Sequence, residues 1–112
     1  MRVWHLKTCD TCRKAIRALH EAGHGPELID VRTDGIDEAT LARLMAAVGR
    51  ERLLNTRSTT WRGLDETDRT NVDDAKAIRL ILVHPTLMKR PVIDTGDAVY
   101  VGWTDEVRTA LL

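Results

Sequence analysis

Lys7-Thr8-Cys9-Asp10-Thr11-Cys12-Arg13-Lys14 holds both cysteines of the chain, two residues apart. Ahead of it lies the apolar run Val3-Trp4-His5-Leu6, which predicts a strand over about 2–6. Behind it, Ala15, Ile16, Leu19 and Ala22 recur at helical spacing and stop at Gly23, predicting a helix over about 12–22. A Cys-x-x-Cys where a strand turns into a helix suits thiol chemistry. The helix N-terminus offers unpaired backbone N–H groups and the positive end of a dipole, and both stabilise a thiolate. A free thiol with a pKa of about 8.5 is a few per cent ionised at neutral pH, whereas one near 6 is mostly thiolate. A shift of about two units is worth roughly 3 kcal/mol.

Working outward, Gly23-His24-Gly25-Pro26 breaks the helix, and Glu27-Leu28-Ile29-Asp30-Val31 is a second strand. A strand–helix–strand crossover favours two parallel neighbours. Beyond the Asp34-Gly35 turn, Leu41, Leu44, Met45 and Val48 mark an amphipathic helix opened by Asp37 and closed by Gly49. Asn55-Thr56-Arg57-Ser58-Thr59-Thr60 lacks either period and reads as a polar loop. Asp73 caps a further helix that places Ala75, Ile78, Ile81 and Leu82 toward the core and ends near His84, before Pro85. Pro91-Val92-Ile93-Asp94, a Thr95-Gly96 turn and Ala98-Val99-Tyr100-Val101 form a β-hairpin. Thr104 caps a last helix, with Asp105 and Glu106 in its first turn and Val107 and Leu111 facing inward. Without the three helices expected in the middle, the order is β-α-β-β-α, the thioredoxin core.

Length and composition bound the rest. At 112 residues, one domain is expected over 1–112. The 17 Lys and Arg balance the 17 Asp and Glu, so no global field draws the chain to nucleic acid or a membrane surface. No apolar run approaches the roughly 20 residues of a spanning helix. The N-terminus enters the first strand directly and shows no secretory signal, so a cytoplasmic location is expected. There a cysteine pair is catalytic or metal-binding more often than a structural disulfide. Cys9, Cys12, His20 and His24 superficially suggest a zinc set. A helix starting at Cys12, however, puts His20 roughly 12 Å further along its axis, whereas zinc ligands lie within about 2.3 Å of one ion. No metal is expected, and both histidines are read as solvent-facing.

Cys9-Asp10-Thr11-Cys12-Arg13-Lys14-Ala15, Asn55-Thr56-Arg57-Ser58-Thr59-Thr60-Trp61-Arg62, His84-Pro85-Thr86-Leu87-Met88-Lys89-Arg90-Pro91-Val92 and Val101-Gly102-Trp103 together resemble the ArsC/Spx family, and within it the small YffB-type branch. The blocks follow the family's order and span nearly the whole chain. The resemblance implies an α/β, thioredoxin-like (glutaredoxin-like) fold with a helical insertion between the second and third strands, roughly residues 36–85. It also implies a small thiol–disulfide oxidoreductase without a bound cofactor, using glutathione as co-substrate or a glutaredoxin- or thioredoxin-type donor. The substrate would be a small disulfide or an oxyanion. The named alternatives are a glutaredoxin/glutathione-coupled arsenate reductase and, in another class, an Spx-like redox-switched transcription regulator that binds RNA polymerase.

The resemblance carries over unevenly. Cys9 matches the nucleophilic cysteine. Cys12 falls where the regulators have a second cysteine and the arsenate reductases a serine, which makes it a resolving or accessory thiol. Arg13 matches a basic residue following that position, Arg90 matches an anion-binding arginine, and Pro91 matches the family's cis-proline. The positions of two further arsenate-binding arginines of the reductases fall at or near Trp103 and near Asn55, which are not arginines here, with Arg57 two residues beyond Asn55, so the three-arginine oxyanion clamp is incomplete. Arg13 and Lys14 oppose the helix dipole. They are either ordinary surface cations or, with Arg57 and Arg90, a cradle for an anion. Lys89 and Arg62 read as ordinary surface charge. Trp4 and Trp61 read as packing residues, and Trp103 as either packing or a groove wall.

Overall fold

A computed structural model describes all 112 residues. The chain forms two compact units, Met1–Asp34 with Arg90–Leu112, and Gly35–Lys89.

The first unit carries the sheet. Strand β1 (Arg2–His5) leads through the cysteine turn into helix α1 (Asp10–Glu21), and β2 (Glu27–Asp30) returns parallel to β1. After the second unit, β3 (Val92–Asp94) and β4 (Val99–Val101) form the hairpin, and helix α7 (Asp105–Leu111) closes the chain. Strand order is β2-β1-β3-β4, with β3 antiparallel to β1. This is the thioredoxin-like core that the order of elements predicts. The parallel crossover is possible because α1 supplies a connection long enough to return the chain to the same end of the sheet. Gly96, at φ 94°, turns the hairpin in a conformation that a side chain disfavours.

Register aligns the core. Val3 lies beside Leu28 on one side and Ile93 on the other, and Ile93 beside Tyr100, so these residues form one row across the sheet. Val3 and Ile93 pack with Leu19 of α1 and Val107 of α7, bordered by Ile16, Tyr100, Trp103 and Leu111. Trp103 is therefore a packing residue, which decides between its two readings. Trp4, one position along from Val3, faces the opposite side of the sheet and is buried.

The second unit is helical. Helix α2 (Glu38–Val48) begins at Asp37, whose carboxylate accepts from the Thr40 amide at 2.7 Å, and ends at Gly49, φ 89°. Helix α6 (Asp74–Val83) begins at Asp73, which accepts from the Lys76 amide at 2.8 Å, and ends at His84. Both pairs of boundaries match those read from the sequence. Between them lie three one-turn helices, α3 (Arg50–Leu53), α4 (Thr59–Arg62) and α5 (Glu66–Arg69), and a 3-10 turn (Pro85–Leu87) follows α6. Leu54 and Met88 form an isolated antiparallel bridge, flanked by Asn55 N–H to Leu87 C=O at 2.7 Å and Lys89 N–H to Leu53 C=O at 2.8 Å.

The middle of the chain holds five α-helices rather than the three expected, and four further expectations need correction. Helix α1 starts at Asp10, two residues earlier than predicted, because Cys9 caps it and acidic Asp10 suits its first turn. The polar loop contains the start of α4, where the Ser58 hydroxyl accepts from the Trp61 amide at 3.1 Å. One-turn helices leave too little periodicity to detect in sequence. The buried face of α6 is Ala77, Leu80 and Ile81, while Ala75 and Leu82 are exposed and Ile78 is half-buried. The run Ile78-Arg79-Leu80-Ile81-Leu82-Val83 is apolar nearly all round, so packing rather than pattern chose its inward face. Finally, His24 is half-buried, its Nε2 donating to the Leu111 carbonyl at 2.8 Å, while His20 is exposed as read.

Candidate active site

Cys9 is the N-cap of α1, with extended backbone at φ −90° and ψ 113°. An N-cap side chain points back at the free amides of the first turn. Here the acceptor is sulfur: the Cys12 amide donates to Cys9 Sγ at 3.3 Å. The turn is closed beneath it by the Cys9 amide on the Leu6 carbonyl at 3.1 Å. Cys9 is partly exposed, whereas Cys12, in the first turn of the same helix, is fully buried. Both are free thiols.

The two thiols differ in their readiness to ionise. Burial opposes ionisation of Cys9. It is outweighed by hydrogen bonds from the Cys12 side chain and amide, and by the charge and hydrogen bond of Arg90, so the Cys9 pKa lies below the ordinary value. Burial pushes the Cys12 thiol up to about 12, reinforced by its hydrogen bond to Cys9. The proton stays on Cys12, and Cys9 accepts from it. The motif is asymmetric in its ground state.

Arg90 and Pro91 open the second segment of this unit, and the bond between them is cis, as the family resemblance implies. The Pro91 carbonyl accepts from the Gly102 amide at 2.8 Å, which ties the start of β3 to the end of β4. Antiparallel pairing of β3 with β1 brings the Arg90 guanidinium to Cys9, 81 residues away along the chain.

Other candidates are engaged differently. Arg13 pairs with Asp10 and also donates from Nη1 to the Lys7 carbonyl at 3.3 Å. That pair, first through the hydrogen bond from Arg13 and then through its charge, holds the Asp10 carboxyl below its ordinary range. The cation opposing the helix dipole at Arg13 is thus offset by an acid one turn back. Lys14 is exposed on the next position of the helix. Arg57 belongs to the second unit and is exposed; its amide donates to Asn55 Oδ1 at 3.1 Å. No three His, Cys, Asp or Glu side chains converge in a metal-binding group.

Sequence reading missed Asp30. At the end of β2 it is buried and accepts from the backbone amides of Lys7, Arg32 and Thr33 at 3.0, 2.9 and 2.9 Å. The Thr33 amide, followed by those of Lys7 and Arg32, holds its carboxyl below the usual range against the cost of burial. Its only sequence signal is an acid that follows Leu28 and Ile29 at the end of the strand, just before a turn.

The model of the ArsC family matches residues 4–111. The chain belongs to the ArsC family. An uncharacterised protein of Haemophilus influenzae is 36% identical over 104 residues, which are 93% of this chain and 91% of that protein. The solved structure of the YFFB protein, 37% identical, superimposes with a TM-score of 0.93 and covers 99% of this chain and 97% of its own. Arsenate reductase ArsI2 of Synechocystis sp. is 29% identical over 115 residues, which span 98% of this chain and 79% of that protein. The likeness to the YffB-type branch therefore extends from the motifs to the whole fold. No helix of this ArsC-family chain is long and apolar enough to cross a membrane.

Proposed function

We propose that this ArsC-family protein is a cytoplasmic thiol–disulfide oxidoreductase that uses glutathione. The observation that carries the reading is Cys9 as the N-cap of α1, its partly exposed sulfur accepting from the Cys12 amide at 3.3 Å, with the charge of Arg90 further favouring the thiolate. In this scheme the Cys9 thiolate attacks one sulfur of a disulfide, forms a mixed disulfide and releases the other half as a thiolate, which takes a proton from water. Cys12 attacks Cys9 Sγ, passing its proton to the sulfur that leaves, so the bound half departs as a thiol and Cys9 and Cys12 are left joined as a disulfide. Two glutathione molecules, or one dithiol protein of the glutaredoxin or thioredoxin type, reduce that bond and are themselves oxidised. Where a second glutathione attacks the mixed disulfide directly, Cys12 serves only as an accessory hydrogen-bond donor. Arg90 binds the anionic group of the incoming molecule, a task suited to a guanidinium. The backbone around Pro91 lines the same groove, and Arg13 and Lys14 complete its positive border.

Arsenate is the second substrate considered. It is favoured by the likeness to the Synechocystis arsenate reductase and by a guanidinium beside the thiol, which suits an oxyanion.

The test is turnover of a glutathione mixed disulfide and of arsenate by wild type, Cys9→Ser and Cys12→Ser. Cys9→Ser is expected to abolish turnover. Loss with Cys9→Ser alone identifies glutathione as the resolving thiol, and loss with both variants identifies Cys12. No turnover of either substrate, together with redox-dependent binding to RNA polymerase, would replace the enzyme with the regulator.

A further inference from the structure

The turn that carries Cys9 is held by few contacts. Lys7 and Thr8 are exposed. The Cys9 amide on the Leu6 carbonyl and Arg13 on the Lys7 carbonyl are both local. A third contact is not: the Lys7 amide donates to Asp30 Oδ2, 23 residues away, at 3.0 Å. Asp30 is itself fixed. It is 4% exposed, its Oδ1 accepts from Arg32 and Thr33, and its amide donates to Asp34 Oδ2 at 2.9 Å. Its β1 neighbour is His5, whose carbonyl accepts from the Val31 amide at 2.9 Å. The carboxylate thus fastens the exit of β1, and with it the path to Cys9, onto the end of β2.

We infer that Asp30 is a positioning residue that controls the ionisation of Cys9 by anchoring the Lys7 amide. The inference rests on Cys9 as nucleophile. The Cys9 sulfur depends on alignment with the Cys12 amide, and a hydrogen bond weakens steeply as alignment is lost. Only a carboxylate offers acceptors at both ends; an asparagine would turn an NH2 toward one of the donors. Apart from Asp30, the ionisable groups around this anchor are His5, Lys7, Arg13 (on the Lys7 carbonyl), Arg32 and Asp34. A purely electrostatic role for Asp30 has the opposite sign. Removing its negative charge would favour the Cys9 thiolate and lower the pKa, whereas losing the anchor would raise it.

The experiment measures iodoacetamide alkylation of Cys9 against pH in three full-length proteins. These are wild type, Asp30→Asn, and a chain ligated at the Thr8–Cys9 junction with an ester in place of the Lys7 amide. The ester deletes one N–H and leaves every charge in place. Both altered proteins, folded by circular dichroism, are expected to show an alkylation midpoint shifted upward and a several-fold slower rate at neutral pH. An unmoved or lowered midpoint in either folded protein overturns the inference, and the ester protein decides alone if Asp30→Asn does not fold. A wild-type midpoint at the ordinary thiol value would instead end the nucleophile reading, and this inference with it.

Discussion

The Cys12 amide donates to the Cys9 sulfur at 3.3 Å, so the second cysteine of the motif helps hold the first as a thiolate. The same turn that exposes one sulfur buries the other. Alkylation of folded protein at neutral pH should therefore label Cys9 alone, with Cys12 reacting only after unfolding. Because the Cys9 pKa is lowered, the rate should rise to its plateau with a midpoint below that of an ordinary thiol. Intact-mass analysis across pH checks both points, and equal labelling of the two thiols would contradict them.

Stability should depend on Cys12 at alkaline pH. Its folded pKa, about 12, lies above an unfolded value of about 8.5. Its stabilising contribution is complete below the unfolded value and is lost as pH rises from there through the folded one. Cys9 has the opposite sign: its contribution is present above the unfolded value and is lost as pH falls through its lowered folded value. Urea unfolding at neutral pH and near pH 10 should show a steeper alkaline loss in wild type than in Cys12→Ala. Parallel losses would rule out the assignment.

Arg90→Ala should raise the alkylation midpoint of Cys9 by removing both a charge and a hydrogen bond. Arg90→Lys should fall between that variant and wild type, because an ammonium keeps the charge but not the planar fork. If all three midpoints coincide, Arg90 does not act on the thiol.

Asp73→Ala should destabilise the protein by about 1 kcal/mol, the usual worth of an N-cap, by leaving the Lys76 amide without its acceptor. Denaturant titration gives the difference directly. A variant as stable as wild type would mean that the first turn of α6 is held by other contacts.

Leu19→Ala removes a fully buried side chain packed with Val3, Ile93 and Val107, and should cost about 2–5 kcal/mol. The range reflects how far the surroundings collapse into the cavity. A loss below about 1 kcal/mol, measured by the same titration, would contradict the packing around Val3 and Ile93.

Much of the fold was legible because its signals are local. Asp37 and Gly49, Asp73 and His84, and Thr104 mark helix ends through hydrogen bonds within one turn, and the structure realises each of them. The Thr95-Gly96 turn is likewise a property of neighbouring residues. Where the local signal is degenerate, the reading failed. One-turn α3, α4 and α5 are too short to show a period, and α6 is apolar on several sides, so its inward face was misassigned.

The candidate site divides along the same line. The strand–Cys-x-x-Cys–helix placement already makes Cys9 a helix-capping thiol, because the dipole and the free amides belong to α1 itself. That Cys12 is buried and keeps its proton depends on what packs around the helix. Trp103 resolves into packing against the edge of the core and Arg13 into a pair with Asp10 for the same reason. Arg90 reaches Cys9 only because β3 pairs antiparallel with β1, and Asp30 reaches Lys7 only because β2 pairs parallel with it. The sequence by itself determined the helix-capping thiol, the helix that carries it and the order of the elements along the chain. The tertiary structure decided which cation lies beside that thiol and which carboxylate holds the Lys7 amide, because strand pairing brings together groups whose separation along the chain carries no local signal.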